Sequence, residues 1–140
     1  MVRASLAWLL VGFTLGGLML TDRVVPGDWR MWATPTHGHI LFVGWFVQFA
    51  IGIAYWLLPR RRTPERPLGY GERAAILAAV GLNVGLLARV VAEPAARTGR
   101  DGGWTQAGLA ASALLQVAAV AVFVAQLWPR VGRRPRPTGR

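Results

Sequence analysis

The two histidines of the chain, His37 and His39, are separated by one residue and stand at the start of a long apolar run. Imidazole nitrogen is a ligand for haem iron, zinc and copper. The run from Thr36 to Leu58 would be about 34 Å long as a helix, which is enough to cross a bilayer. Ionisable side chains in such a helix mark a functional site by default. The histidine pair is therefore the predicted centre of function.

The residues before the histidines predict where their helix begins. Thr34 can cap a helix N-terminus, and Pro35 suits the first turn, where no amide proton is needed. We therefore expect both histidines in the first turn or so, at one membrane surface. The positive end of the helix dipole disfavours an imidazolium there, which keeps the ring neutral and able to bind a metal.

At about 100° per residue, one stripe of this helix combines polar and small side chains. Its members are His37, Leu41, Gly44, Gln48, Gly52 and Tyr55. Glycines beneath a histidine leave a smooth surface for a flat macrocycle, so we expect Gly44, Gln48 and Gly52 to contact a haem. His39 falls on a hydrophobic stripe about 200° away, so one iron cannot take both histidines from opposite faces.

Three arrangements could complete the coordination of a haem iron. A homodimer could hold one haem between histidines of two protomers, a methionine such as Met31 or Met19 could be the second ligand, or the iron could be five-coordinate and open to a gas. We favour the homodimer, because it uses the strongest ligands in the chain. The alternatives to haem are an interfacial role for the histidines, or a weak zinc or copper site formed by His37 and His39.

Two arginines near the same membrane surface are candidates for pairing with haem propionates. Arg30 precedes the histidines, and Arg89 lies about one turn inside the third apolar block. Arginine binds carboxylates through two parallel hydrogen bonds. For Arg89 a structural pair with Glu93, four residues further on, is an equal alternative, and both contacts could coexist.

Four apolar blocks are each long enough to cross a membrane, at about 4–21, 36–58, 74–92 and 107–128. The predicted fold is an all-α, four-transmembrane-helix bundle formed by a single domain at 1–128, with a basic cytoplasmic tail at 129–140. A signal peptide is the alternative for the first block. The pairs Gly12/Gly16 and Gly81/Gly85 suit close helix packing, and Asn83, Ser112, Gln116 and Gln126 are expected to form hydrogen bonds between helices.

The formal charge of +10 comes from sixteen basic residues, all of them arginine. Because they lie in loops and the tail, they indicate lipid contact and topology, and we expect no nucleic-acid partner. Eleven follow the second and fourth blocks or precede the first, which predicts both termini in the cytoplasm of a prokaryotic cell and the histidines near the outer face. The absence of cysteine excludes iron–sulfur clusters and covalent haem attachment.

The run Thr36-His37-Gly38-His39-Ile40-Leu41-Phe42, followed by Gly52 and Pro59, resembles the second transmembrane helix of haem–copper oxidase catalytic subunits. In that family a histidine at the outer start of this helix ligates the low-spin haem. The resemblance implies haem b as the cofactor, with His37 as the ligand and His39 as the second candidate. It covers about 30 residues, and the other ligands of the family have no counterpart here, so oxygen reduction and proton pumping are not implied.

These observations predict a membrane-bound b-type haem protein. It would act in electron transfer, with a quinone or another redox partner, or in binding nitric oxide or oxygen. The alternatives are a non-catalytic membrane subunit of a larger oxidase or reductase, and a metal-binding protein that uses the His-x-His pair.

Overall fold

The computed structural model describes residues 1–21, 28–60, 62–64, 66–100 and 102–131. Four helices in this part of the chain are long and apolar enough to cross a membrane, at Val2–Leu20, Trp29–Leu57, Glu72–Arg97 and Gly103–Arg130. The predicted all-α, four-helix architecture is confirmed. Length and composition identify an integral membrane protein, while the side that faces the cytoplasm stays a prediction.

The first, third and fourth spans are regular, and the second is divided into three parts. Helix α1 is Val2–Leu20; the second span consists of α2 (Trp29–His39), a π-helical segment (Ile40–Val47) and α3 (Gln48–Leu57). Helix α4 is Glu72–Arg97, and α5 is Gly103–Leu127, followed by a 3₁₀ turn at Trp128–Arg130. Of the predicted basic tail, residues 132–140 lie outside the described part of the chain.

The second span begins earlier than the sequence predicts. Asp28 is the N-cap residue and Pro35 lies inside α2, while the Thr34 hydroxyl donates to the carbonyl of Arg30 at 2.6 Å instead of capping the helix. The histidines are therefore about two turns into the helix. The prediction that both histidines lie in the first turn, to which the dipole effect is confined, was therefore wrong.

The π-helical segment follows His39 directly. Its wider turns change the angular spacing, so a uniform 100° per residue does not hold between Ile40 and Val47. Where the α-helix resumes, the Gln48 side chain donates from Nε2 to the carbonyl of Gly44 at 2.9 Å. π-helical turns inside α-helices are rare and are often found at functional sites.

Small residues set the packing within each pair of neighbouring spans. Gly12 of α1 contacts Ile40 and Leu41 of the second span, and Gly85 of α4 lies against Leu115 and Ser112 of α5. A β-carbon at Gly85 would be 3.1 Å from the Ser112 carbonyl oxygen. Such close approach supplies the dispersion contacts that hold helices together in lipid. The predicted packing role of the glycine pairs is confirmed at these positions.

The end of the bundle opposite the histidines is held by Tyr55 and Arg130. Tyr55 packs with Ala78, Leu82, Ala119 and Phe123 in the buried apolar core. Helix α3 stops at Leu57 because Leu58 precedes Pro59 and takes an extended conformation. The guanidinium of Arg130 donates to the carbonyls of Tyr55, Leu58 and Pro59 at 3.2, 2.6 and 3.0 Å, and so caps the end of α3.

Candidate functional site

The side chain of His37, which belongs to α2, packs against α1. A β-carbon at Gly16 would be 2.9 Å from Cε1 and 3.4 Å from Nε2 of the ring, so the imidazole rests against the backbone of α1. Its Nδ1 is buried and has no hydrogen-bond partner among the described residues. An orphaned imidazole nitrogen in an apolar setting is costly. His37 therefore remains a candidate ligand, with one ring nitrogen that the described residues leave without a partner.

His39 has a defined orientation. Its Nδ1 lies 2.8 Å from the carbonyl oxygen of Pro35. A carbonyl oxygen can only accept, so Nδ1 carries the proton, and the neutral ring then has its lone pair on Nε2. A third of the side chain is exposed, at 33%. This is the arrangement of metal-binding histidines, in which one nitrogen donates to a carbonyl and the other is free to coordinate.

A buried carboxylate lies next to His39. Glu93 of α4 is only 7% exposed, and its Oε2 accepts from the Thr36 hydroxyl at 3.3 Å and lies 3.6 Å from Nδ1 of His39. Arg89 Nε is 3.6 Å from the same oxygen, and Arg97 Nη2 is 3.9 Å from Oε1. We call these five residues the Glu93 cluster. It joins α2 to α4 at the histidine end of the bundle.

The two histidines diverge, as their spacing predicts. His37 faces Gly16 of α1, whereas His39 faces Glu93 of α4. The two rings of one protomer cannot ligate one iron from opposite sides. In the described part of the chain, no group of three or more His, Cys, Asp or Glu side chains could hold a metal ion. A haem supplies four nitrogen ligands to its iron, so it needs fewer ligands from the protein than a bare metal ion does.

Two of the residues expected to form a smooth surface for the macrocycle, Gly44 and Gly52, lie against side chains of other helices. A β-carbon at Gly44 would be 2.7 Å from Leu86 Cδ2 and 2.8 Å from Trp8 Cγ, and one at Gly52 would be 2.8 Å from Val2 Cγ2. Gln48 is 1% exposed. Side chains of α1 and α4 thus cover Gly44, whereas Gln48 and Gly52 also line a cavity of about 750 Å³ between α1, α3 and α4. A contact of Gly44, Gln48 or Gly52 with a haem stays a prediction.

Gln48 belongs to a network of amides in the middle of the bundle. Asn83 Nδ2 donates to Gln48 Oε1 and to the carbonyl of Ala79, both at 2.7 Å, and Trp8 Nε1 donates to Asn83 Oδ1 at 2.8 Å. Three spans therefore meet at Asn83. The predicted role of Asn83 as a hydrogen-bonding residue between helices is confirmed. Gln116 differs from its prediction, since it donates to Ser112 within its own helix.

The two candidate propionate partners occupy different places. Arg30 is exposed, and its Nη1 donates to the carbonyl of Met19 at 3.4 Å. Arg89 pairs with Glu93, which confirms the structural alternative for this residue. Its Nε nevertheless lacks a hydrogen bond within 3.5 Å among the described residues. A contact of Arg30 or Arg89 with a propionate stays a prediction.

An exposed aromatic pair lies below His39 on the second span. Phe42 and Phe46 are 63% and 53% exposed, and their rings stack with centroids 6.0 Å apart and an interplanar angle of 25°. Both phenylalanines lie in the π-helical segment that begins directly after His39. The second span therefore carries an exposed aromatic surface within two turns of His39.

Sequence reasoning did not identify the partners of the two histidines. The sequence singles out Gly16 as a packing residue and Glu93 as a partner of Arg89, but neither as a contact of a histidine. These contacts join residues that are far apart in the chain, so no local spacing reports them. A carboxylate within an apolar span was the available signal for Glu93.

No family model, curated protein or solved structure matches this chain. Its function has to be inferred from the geometry of its own residues.

Proposed function

We propose that this protein is a membrane-bound b-type haem protein that acts in electron transfer, with haem b ligated by Nε2 of His39. The observation that carries the proposal is the short contact between His39 Nδ1 and the Pro35 carbonyl, at 2.8 Å. It leaves Nε2 unprotonated in the neutral ring, as iron coordination requires. Bound haem would supply a one-electron couple between ferrous and ferric iron.

The geometry favours His39 over His37, the ligand that the resemblance to haem–copper oxidases implies. His39 is partly exposed and its Nδ1 is already bonded, whereas the His37 ring is pressed against the backbone of α1 at Gly16. A haem plane at His37 would have to displace α1. At His39 the macrocycle would meet the stacked rings of Phe42 and Phe46 instead.

The surface position of His39 also supports a homodimer. A haem on this exposed face would be covered on one side only by its own protomer. A second copy related by a two-fold axis would present the same histidine and the same aromatic pair, because such an interface is self-complementary. The iron would then have two histidine ligands, and the ring edges would be shielded from lipid.

The charges of the site fit a haem with two propionates. Arg89 and Arg97 outnumber Glu93 in the cluster, so the histidine end carries excess positive charge beside His39. Arginine is the side chain best suited to pair with carboxylates. In the proposed complex these two residues and Arg30 bind the propionates and orient the macrocycle, and a quinone or another redox partner exchanges the electron.

The test is the optical spectrum of the purified protein, expressed with ample haem, beside the variants His39→Ala and His37→Ala. We expect a Soret band and sharp reduced α and β bands in the wild type, their loss in His39→Ala, and their retention in His37→Ala. We also expect one haem for every two protomers, measured from haem content and the mass of the detergent-solubilised complex.

Two results would contradict this proposal in different ways. Loss of the bands in His37→Ala alone would keep the haem and reassign its ligand to His37. A wild type without a Soret band would overturn haem binding, and a non-catalytic subunit of a larger membrane complex would then be the better interpretation.

A further inference from the structure

Glu93 is the most deeply buried carboxylate in the described part of the chain, at 7% exposure. It stands four residues after Arg89 and four before Arg97, an arrangement that would make an ordinary ion-pair ladder on one helix. A carboxylate that served only this ladder would need no contact with another span. Burying a carboxylate in an apolar span costs free energy, and such residues usually pair with other groups and mark functional sites.

The closest contact of Glu93 is with the second span and not with its own helix. Its Oε2 is 3.3 Å from the hydroxyl of Thr36 and 3.6 Å from Nδ1 of His39, the distance at which Arg89 Nε also stands. Thr36, Arg89 and Arg97 thus hold the carboxylate while it faces the protonated nitrogen of His39. The charged or titratable groups that the described residues place against Glu93 are His39, Arg89 and Arg97.

We propose that Glu93 is a positioning residue for His39: its carboxylate places a negative charge beside the Nδ1–H group and makes Nε2 a stronger electron donor to a bound haem iron. The inference rests on the proposed haem function. Its physical basis is that a negative charge beside Nδ1–H polarises the ring and raises the basicity of the opposite nitrogen, an effect that carboxylates have behind metal-binding histidines. Pro35 accepts the hydrogen bond, and Glu93 supplies the charge.

The experiment is a redox titration of the haem in the full-length, haem-loaded protein with Glu93→Gln. Removing the negative charge favours ferrous iron, so we expect the ratio of ferric to ferrous haem at a fixed potential to fall about tenfold, comparable to the lower end of the effect that outer-shell changes have on metal affinity or activity. This equals a rise of about 59 mV in the midpoint potential. Glu72→Gln is the matched control, because Glu72 is exposed at the other end of α4.

A second variant separates positioning from a structural role. Thr36→Val keeps the carboxylate but removes the hydroxyl that donates to it, so the charge beside His39 is less neutralised and the midpoint potential should fall. Opposite signs in the two variants are expected only if the charge acts on the ligand. If Glu93→Gln does not fold, the sign of the Thr36→Val shift alone decides.

An unchanged potential in Glu93→Gln, or equal shifts in Glu93→Gln and Glu72→Gln, would overturn this inference and leave haem binding intact. Retention of haem in His39→Ala would overturn it as well, because the ligand would then be elsewhere. A wild type without haem would instead overturn the proposed function from which the inference starts.

Discussion

The imidazole of His37 lies on the backbone of Gly16, where an added β-carbon would come within 2.9 Å of Cε1. Real β-carbons do not approach other atoms so closely, and the His37 side chain is attached to α2 and cannot move away freely. The ring and the glycine are therefore complementary in shape. This contact fixes how α1 lies along the half of the second span that carries the histidines.

Replacing Gly16 by alanine should weaken the contact between α1 and α2. The methyl group forces the His37 ring aside, and overpacking of this kind costs about 1–3 kcal/mol. We expect a lower unfolding midpoint in detergent, measured by circular dichroism. The matched control is Gly17→Ala, because nothing lies within 4 Å of a β-carbon there; alanine at Gly17 should be neutral or stabilise the helix by about 0.5–1 kcal/mol. Equal losses in both variants would contradict the packing interpretation.

Replacing Asn83 by alanine should destabilise the bundle by about 1–2 kcal/mol, because three spans share this amide and hydrogen bonds between membrane helices are worth about that much. The emission of Trp8 should also change as its indole loses its acceptor. Unfolding in denaturant with fluorescence detection measures both effects.

The control for Asn83 is Gln116→Ala, which removes an amide that bonds only to Ser112 of its own helix in the described structure. This variant should lose less stability than Asn83→Ala. If Gln116→Ala were as harmful, the position of Asn83 between spans would not be the reason for its effect.

The haem-free protein should contain His39 as the tautomer protonated on Nδ1, since the Pro35 carbonyl can only accept. Nitrogen-15 NMR of labelled histidine in the apo protein distinguishes the two tautomers. His37 is the internal comparison, because its Nδ1 has no partner among the described residues, and we expect it to show no such preference. A His39 protonated on Nε2 would contradict the proposed ligand geometry.

The number of spans could be predicted from the sequence because length and hydropathy are local properties. Pro59 also marks the end of the second span, which stops at Leu57. The start could not be placed, because Pro35 is tolerated within α2 and Asp28 takes the capping position seven residues earlier. A proline or a capping residue is therefore compatible with more than one starting point for the helix.

The candidate site could be predicted only in part. The divergence of His37 and His39 follows from their spacing and is confirmed. In the stripe below His37, Gly44 and Gly52 contact α1, and Gly44 also contacts Leu86 of α4. The π-helical segment has no local sequence signal. Which side chain packs against a given glycine depends on how whole helices are arranged, and the local sequence does not report that arrangement.

Several side-chain hydrogen bonds connect the N-terminal pair of spans with the C-terminal pair. Trp8 and Gln48 bond to Asn83, Thr36 bonds to Glu93, Tyr55 donates to Gln126, and Arg130 bonds to the end of α3. Within each pair, glycines allow close approach, at Gly12 and Gly16 in the first pair and at Gly85 and Gly108 in the second. Each pair is therefore a helical hairpin that can insert by itself, and the polar contacts form when the two hairpins dock. Two separately expressed fragments, 1–62 and 63–140, should consequently reassemble in the membrane into one stable complex. The covalent connection between the two hairpins would then not be required for the fold.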